Sequence, residues 1–168
     1  EMVLSGTSVW ASATANAGYH GIALTKNGTA VTASGAAHTI TAATTFKSTA
    51  SSNNGVITIL ENGSNATTTG YSISLSTSSS EDTATKTATN SGSTVTFTTL
   101  TNGTYYIWAG KSSYNNTLKA TRVYTGETLV VNNNNPTATI NYYKLTKSQG
   151  ANTTLTVTYG LKVTNVGE

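Results

Sequence analysis

Residues 1–13 read EMVLSGTSVWASA, uncharged after Glu1 and apolar towards both ends. Side chains alternate with period two along an extended chain. Met2, Leu4, Gly6, Ser8 and Trp10 therefore share one face of a strand, and Val3, Ser5, Thr7, Val9 and Ala11 share the other. Met2, Leu4 and Trp10 can fill apolar pockets, with small residues between them where another backbone can come close. A terminus is ordered only when something ties it down. So apolar a segment completes a sheet, either that of its own domain or that of another copy.

Working outward, the same extended character continues. Residues 19–25 (YHGIALT) and 29–33 (TAVTA) flank Lys26-Asn27-Gly28, and Asn-Gly is a strong hairpin signal because both residues accept positive φ. Residues 38–48 follow, with Ile40 and Phe46 as core contributors, then a turn at 51–55 and the apolar run 56–60 (VITIL). Residues 71–77 (YSISLST) place Tyr71, Ile73 and Leu75 on one face. Residues 78–92 are polar and of low complexity, a loop or a Thr-rich edge strand. Strand patterns resume at 94–100, at 104–109 (TYYIWA, with Tyr106 and Trp108 on one face of a core strand), and at 117–124, 127–132, 137–146 and 153–166. Asn102-Gly103 reads as a further turn. No stretch carries apolar residues at helical spacing. Ten to twelve strands with a turn signal every ten residues or so predict an Ig-like or jelly-roll β-sandwich.

Composition agrees. Thr, Ser and Asn exceed two-fifths of the 168 residues, while charged residues make up only 9%. β-branched Thr suits strands, and low charge argues against a disordered chain. The nine basic residues are scattered singly, without the basic and aromatic clustering of a nucleic-acid binder. No apolar run approaches the length needed to span a bilayer as a helix. The chain opens on Glu rather than Met and carries no signal peptide, which suggests a processed, mature N-terminus.

Catalytic chemistry finds little to work with. Cys is absent, and His20 and His38 have no metal-ligand spacing to a carboxylate. Six carboxylates are present, and Glu81-Asp82 is the only adjacent pair, in the most polar loop. Neither a nucleophile elbow nor a phosphate-binding glycine motif occurs. The expectation is a protein that is not an enzyme and holds no cofactor. Six Asn-x-Ser/Thr sequons, at Asn27, Asn62, Asn65, Asn102, Asn115 and Asn152, point to N-glycans and an extracellular location.

The apolar first strand, the sequons, the Thr/Ser/Asn-rich composition and the all-β body together resemble the subunits of archaeal thread-type surface filaments. The resemblance implies a secreted, glycosylated β-sandwich that polymerises head to tail, its N-terminal strand inserted into the next subunit. Carried onto this chain, residues 1–13 form the donor strand, with Met2, Val3, Leu4, Gly6, Val9 and Trp10 making the subunit contact. Residues 14–18 form a linker and residues 19–168 the sandwich, with glycan implied on all six sequon asparagines. The partners are identical subunits, and other cells or surfaces, in adhesion, cell aggregation or biofilm. Strand donation buries alternate side chains in pockets while main-chain bonds supply affinity, and a head-to-tail contact does not close on itself. The alternative is an Ig-like cell-surface adhesin or carbohydrate-binding module with a self-complete sheet, for which an exposed aromatic row drawn from Tyr105, Tyr114 and Tyr143 is the expected mark.

Overall fold

The computed structural model describes residues 1–111 and 122–157. Thirteen strands and no helix are found among them. In chain order they are β1 (Thr7–Ser12), β2 (Tyr19–Lys26), β3 (Thr29–Val31), β4 (Ser34–Ile40), β5 (Phe46–Ser52), β6 (Gly55–Glu61), β7 (Ser64–Asn65), β8 (Ser72–Ser76), β9 (Lys86–Thr89), β10 (Thr94–Phe97), β11 (Gly103–Gly110), β12 (Val123–Val131) and β13 (Thr137–Tyr142).

The core lies between two sheets. One has the order β10-β6-β13, with β7 added beside β6, and the other the order β12-β11-β8-β9. Alternation sends Ile57 and Ile59 of β6, Val95 and Phe97 of β10 and Ile140 of β13 inward. They meet Ile73 and Leu75 of β8, Tyr105, Ile107 and Ala109 of β11, and Leu129 and Val131 of β12. This is the expected all-β sandwich, and β12 packs on β13 at one flank as β10 meets β9 at the other. One pairing departs from an antiparallel arrangement: β13 runs parallel to β6, from Thr137 opposite Val56 to Tyr142 opposite Glu61. Residues 132–136 (NNNNP) carry the chain across from β12 in one sheet to β13 in the other.

The first fifty residues stand outside this core. β2, β3 and β5 form a three-stranded sheet, and β1 pairs with β4 alone. Leu24 is the one large apolar residue that is fully buried there. β5 and β6 follow each other with only Asn53 and Asn54 between them, so this layer and the sandwich share a nearly continuous extended chain.

Several sequence expectations shift. Asn27-Gly28 and Asn62-Gly63 are tight turns with positive φ at both residues. The chain bends at Asn102 as expected, and the bend serves a crossing between sheets, since β10 and β11 lie in different ones. β11 is a core strand of opposite phase: Tyr105, Ile107 and Ala109 point inward, and Tyr106 and Trp108 lie half-buried on the outer face. Residues 143–146 and 153–157 form no strand. The expected strand over 117–124 falls partly, and that over 153–166 mostly, outside the described residues.

Candidate subunit-contact strand and sequons

β1 is extended, as its alternation requires, and pairs antiparallel with β4 from Thr7 opposite Ile40 to Ala11 opposite Ala36. Thr7, Val9 and Ala11 turn towards the body while Ser8, Trp10 and Ser12 face solvent. Trp10 is 70% exposed, and ahead of the strand Met2 is 97%, Leu4 85% and Val3 43% exposed. Gly6 has φ +90, and a side chain added there would meet nothing nearby, so Gly6 serves the turn that leads into β1. Its N–H donates to the Ile40 carbonyl at 2.8 Å. Met2 and Leu4, ahead of that turn, and Trp10, on the outer side of β1, are therefore left largely exposed in the single chain.

Beside the tail lies an open cleft of about 560 Å³, whose lining includes Met2, Val3, Val9, Trp10, Ile40 and Phe46. His38 packs tilted against the cleft residue Phe46, ring centroids 5.1 Å apart, and its Nε2 is buried without a hydrogen-bond partner. Residues 14–18 run against β2 and β5, anchored at both ends. Ala13 N–H donates to Ala33, and the Gly18 carbonyl accepts from Asn53 N–H at 2.8 Å. Gly18 (φ +84) leaves no room for a Cβ, which would fall 2.9 Å from Thr99 Cγ2.

The five sequon asparagines among the described residues, Asn27, Asn62, Asn65, Asn102 and Asn152, are all exposed. Asn115 lies outside the described residues. The aromatic residues named for the adhesin alternative part company. Tyr105 is buried, its hydroxyl 2.9 Å from that of Thr101, because β11 has the opposite phase from the one a surface row needs. Tyr143 is exposed and Tyr114 lies outside the described residues. A different aromatic series occupies the outer face of β11 and β12. Tyr124 lies 5.8 Å from both Tyr106 and Trp108. Burial first, then Tyr106 and Glu127 nearby, raise the Tyr124 pKa.

Two polar clusters went unseen in the sequence. Asn53, 1% exposed, accepts from His20 Nδ1 at 2.6 Å and donates to the Leu100 carbonyl at 3.0 Å, joining the first layer to the sandwich. The low-complexity loop at 77–85 is held over β8 and β11. Asp82 accepts from Ser74 Oγ and Arg122 Nε, and Trp108 Nε1 donates to the Ser78 carbonyl. No local signal marks either cluster, since each depends on contacts between residues 30 or more positions apart. Comparison with protein-family models, curated proteins and solved structures finds no match to this chain.

Proposed function

We propose that this protein is a structural subunit of an extracellular, glycosylated filament, joined head to tail by transfer of residues 1–13 from their own β4 to a neighbouring copy, in adhesion, cell aggregation or biofilm. The observation that carries the reading is the poor burial of that segment. Met2, Leu4 and Trp10 stand largely in water, and the strand that follows the tail, Thr7–Ser12, rests on a two-stranded ribbon outside the core. Large exposed apolar side chains grouped in one place mark an interaction surface. Burying each of the three against a partner is worth about 1.5–3 kcal/mol before ordering costs. Release from β4 exchanges one set of strand hydrogen bonds for another, as in a domain swap, and residues 14–17 act as the pivot ahead of Gly18, whose carbonyl Asn53 N–H holds.

Size-exclusion chromatography and electron microscopy of the full chain test the reading. Fibres that vanish on deletion of residues 1–13, leaving monomers that the peptide added in trans stabilises, support it. A full chain that stays monomeric at high concentration counts against it.

A second reading, the self-complete adhesin or carbohydrate-binding module, draws on the Tyr106, Tyr124 and Trp108 series, since aromatic faces suit stacking on sugars. Binding of the monomer to a glycan array, lost in Tyr124→Ala, would favour it.

A further inference from the structure

Exposure does not separate the sequon asparagines, but the state of each amide does. Asn102 is engaged at both ends. Its Oδ1 accepts from Asn133 N–H at 2.9 Å and from Asn53 Nδ2 at 3.5 Å, and its Nδ2 donates to Asn133 Oδ1 at 3.1 Å. It thereby clamps the 132–136 crossing onto the β10–β11 connection, next to the buried Asn53. Asn27 is engaged likewise: Oδ1 accepts from Thr45 N–H at 2.8 Å and Nδ2 donates to the Ala43 carbonyl at 3.4 Å, pinning the β4–β5 connection to the β2–β3 turn.

Asn65 and Asn152 differ. No side-chain hydrogen bond within the described residues engages either amide. Asn65 is also aimed outward. The next residue, Ala66, is buried and its N–H donates to the Ile59 carbonyl, so alternation turns Asn65 to solvent. Asn62 stands between the two groups: only its Oδ1 is used, accepting from Lys144 N–H at 2.9 Å.

We propose that Asn65 and Asn152 are the glycan-bearing positions and that Asn27 and Asn102 stay unmodified because their amides hold the fold together. The proposal rests on the glycoprotein part of the function proposed above. N-glycosylation forms a bond from the asparagine Nδ2 to C1 of a sugar and breaks the C1–O bond to the phosphate of a lipid-linked glycosyl donor. The phosphate leaves with the bonding electrons and a separate transferase removes one Nδ2 proton. The product keeps the carbonyl and one N–H but places a sugar ring directly on the nitrogen. At Asn65 and Asn152 that ring enters solvent. At Asn102 it must enter the space between two loops, where Asn133 Oδ1 already sits 3.1 Å from the nitrogen.

Two measurements on the full chain test this. Glycopeptide mapping of the native protein, with enzymatic release in heavy-oxygen water, is expected to find sugar on Asn65 and Asn152 and none on Asn27 or Asn102. Sugar on Asn102 or Asn27, or a bare Asn65 beside sugar elsewhere, overturns the assignment. A native chain without any sugar overturns the glycoprotein reading and the assignment of acceptors with it. In the unglycosylated recombinant chain, Asn102→Gln and Asn27→Gln are each expected to lower Tm by about 2–4 °C. Asn65→Gln should leave it unchanged, and a Tm equal to that of Asn102→Gln would overturn the clamp argument whatever the glycan map shows.

Discussion

Asn53 shows how single side chains hold this molecule. Its backbone N–H donates to Gly18, its carbonyl accepts from Leu100 N–H, and its amide serves both His20 and the Leu100 carbonyl. Asn53→Ala leaves buried groups without partners, and each such loss costs about 1–3 kcal/mol. The expected result is a fall of that size in urea-unfolding free energy, with Asn54→Ala as a milder control. Gly55, at the start of β6, is constrained by space. A Cβ there would lie 2.7 Å from Leu129 Cδ1 and 2.9 Å from Leu100 Cδ1, both on fully buried residues. Gly55→Ala should cost about 1–3 kcal/mol through overpacking, whereas Gly63→Ala, in open space but at positive φ, should lose stability only through backbone strain. Neither demand is written in the local sequence. Asn53-Asn54-Gly55 looks like an ordinary turn, and only the approach of β12 and the 98–102 connection makes it specific.

Among the elements, period-two alternation was legible and strand partners were not. The pattern of 71–77 correctly put Tyr71, Ile73 and Leu75 in the core, but Ser74 and Ser76 are buried as well because the 77–85 loop closes over them. In 104–109 apolar residues occupy both faces, so the phase could not be read, and Tyr105 rather than Tyr106 points inward. The parallel pairing of β13 on β6 depends on a crossing that no local pattern encodes. The carboxylates give the elements a pH dependence. Hydrogen bonds from the Thr68 and Tyr71 hydroxyls, then from backbone N–H groups, lower the Glu61 pKa from 4.5 to about 2. At Asp82 burial pushes upward, but hydrogen bonds from Ser74 and Arg122, the Arg122 charge and the Ala84 N–H outweigh it and leave the pKa below its usual value. Both groups bind protons more weakly folded than unfolded. Their stabilisation is therefore complete above the ordinary carboxylate range and is lost at acid pH, that of Glu61 as pH falls through 4.5 towards 2. Tm should be level from neutral pH to about 5 and decline below that. Glu61→Gln with Asp82→Asn should flatten the decline, and an unchanged acid slope in the double variant would show that other groups set it.

At the scale of the whole molecule, burial is uneven. The sandwich carries a continuous apolar core, while the first fifty residues bury one large apolar side chain and leave Met2, Leu4 and Trp10 to water. Local stability should follow, with β1 and β4 amides exchanging with deuterium well before those of β6 and β11 in the isolated chain. Trp10→Asp should leave this monomer folded, because the side chain is exposed there, yet abolish assembly, because a lone carboxylate would be carried into an apolar contact. An insoluble Trp10→Asp monomer would place Trp10 in the fold rather than at a subunit boundary. The central claim, that residues 1–13 leave their own β4 to join the next copy, is tested most directly by electron cryo-microscopy of the native assembled protein with the chain traced across the subunit boundary. Residues 2–13 are expected to be hydrogen-bonded within the adjacent subunit, with Met2, Leu4 and Trp10 covered. Residues 7–12 still paired with their own β4, and Trp10 still in solvent, would contradict it.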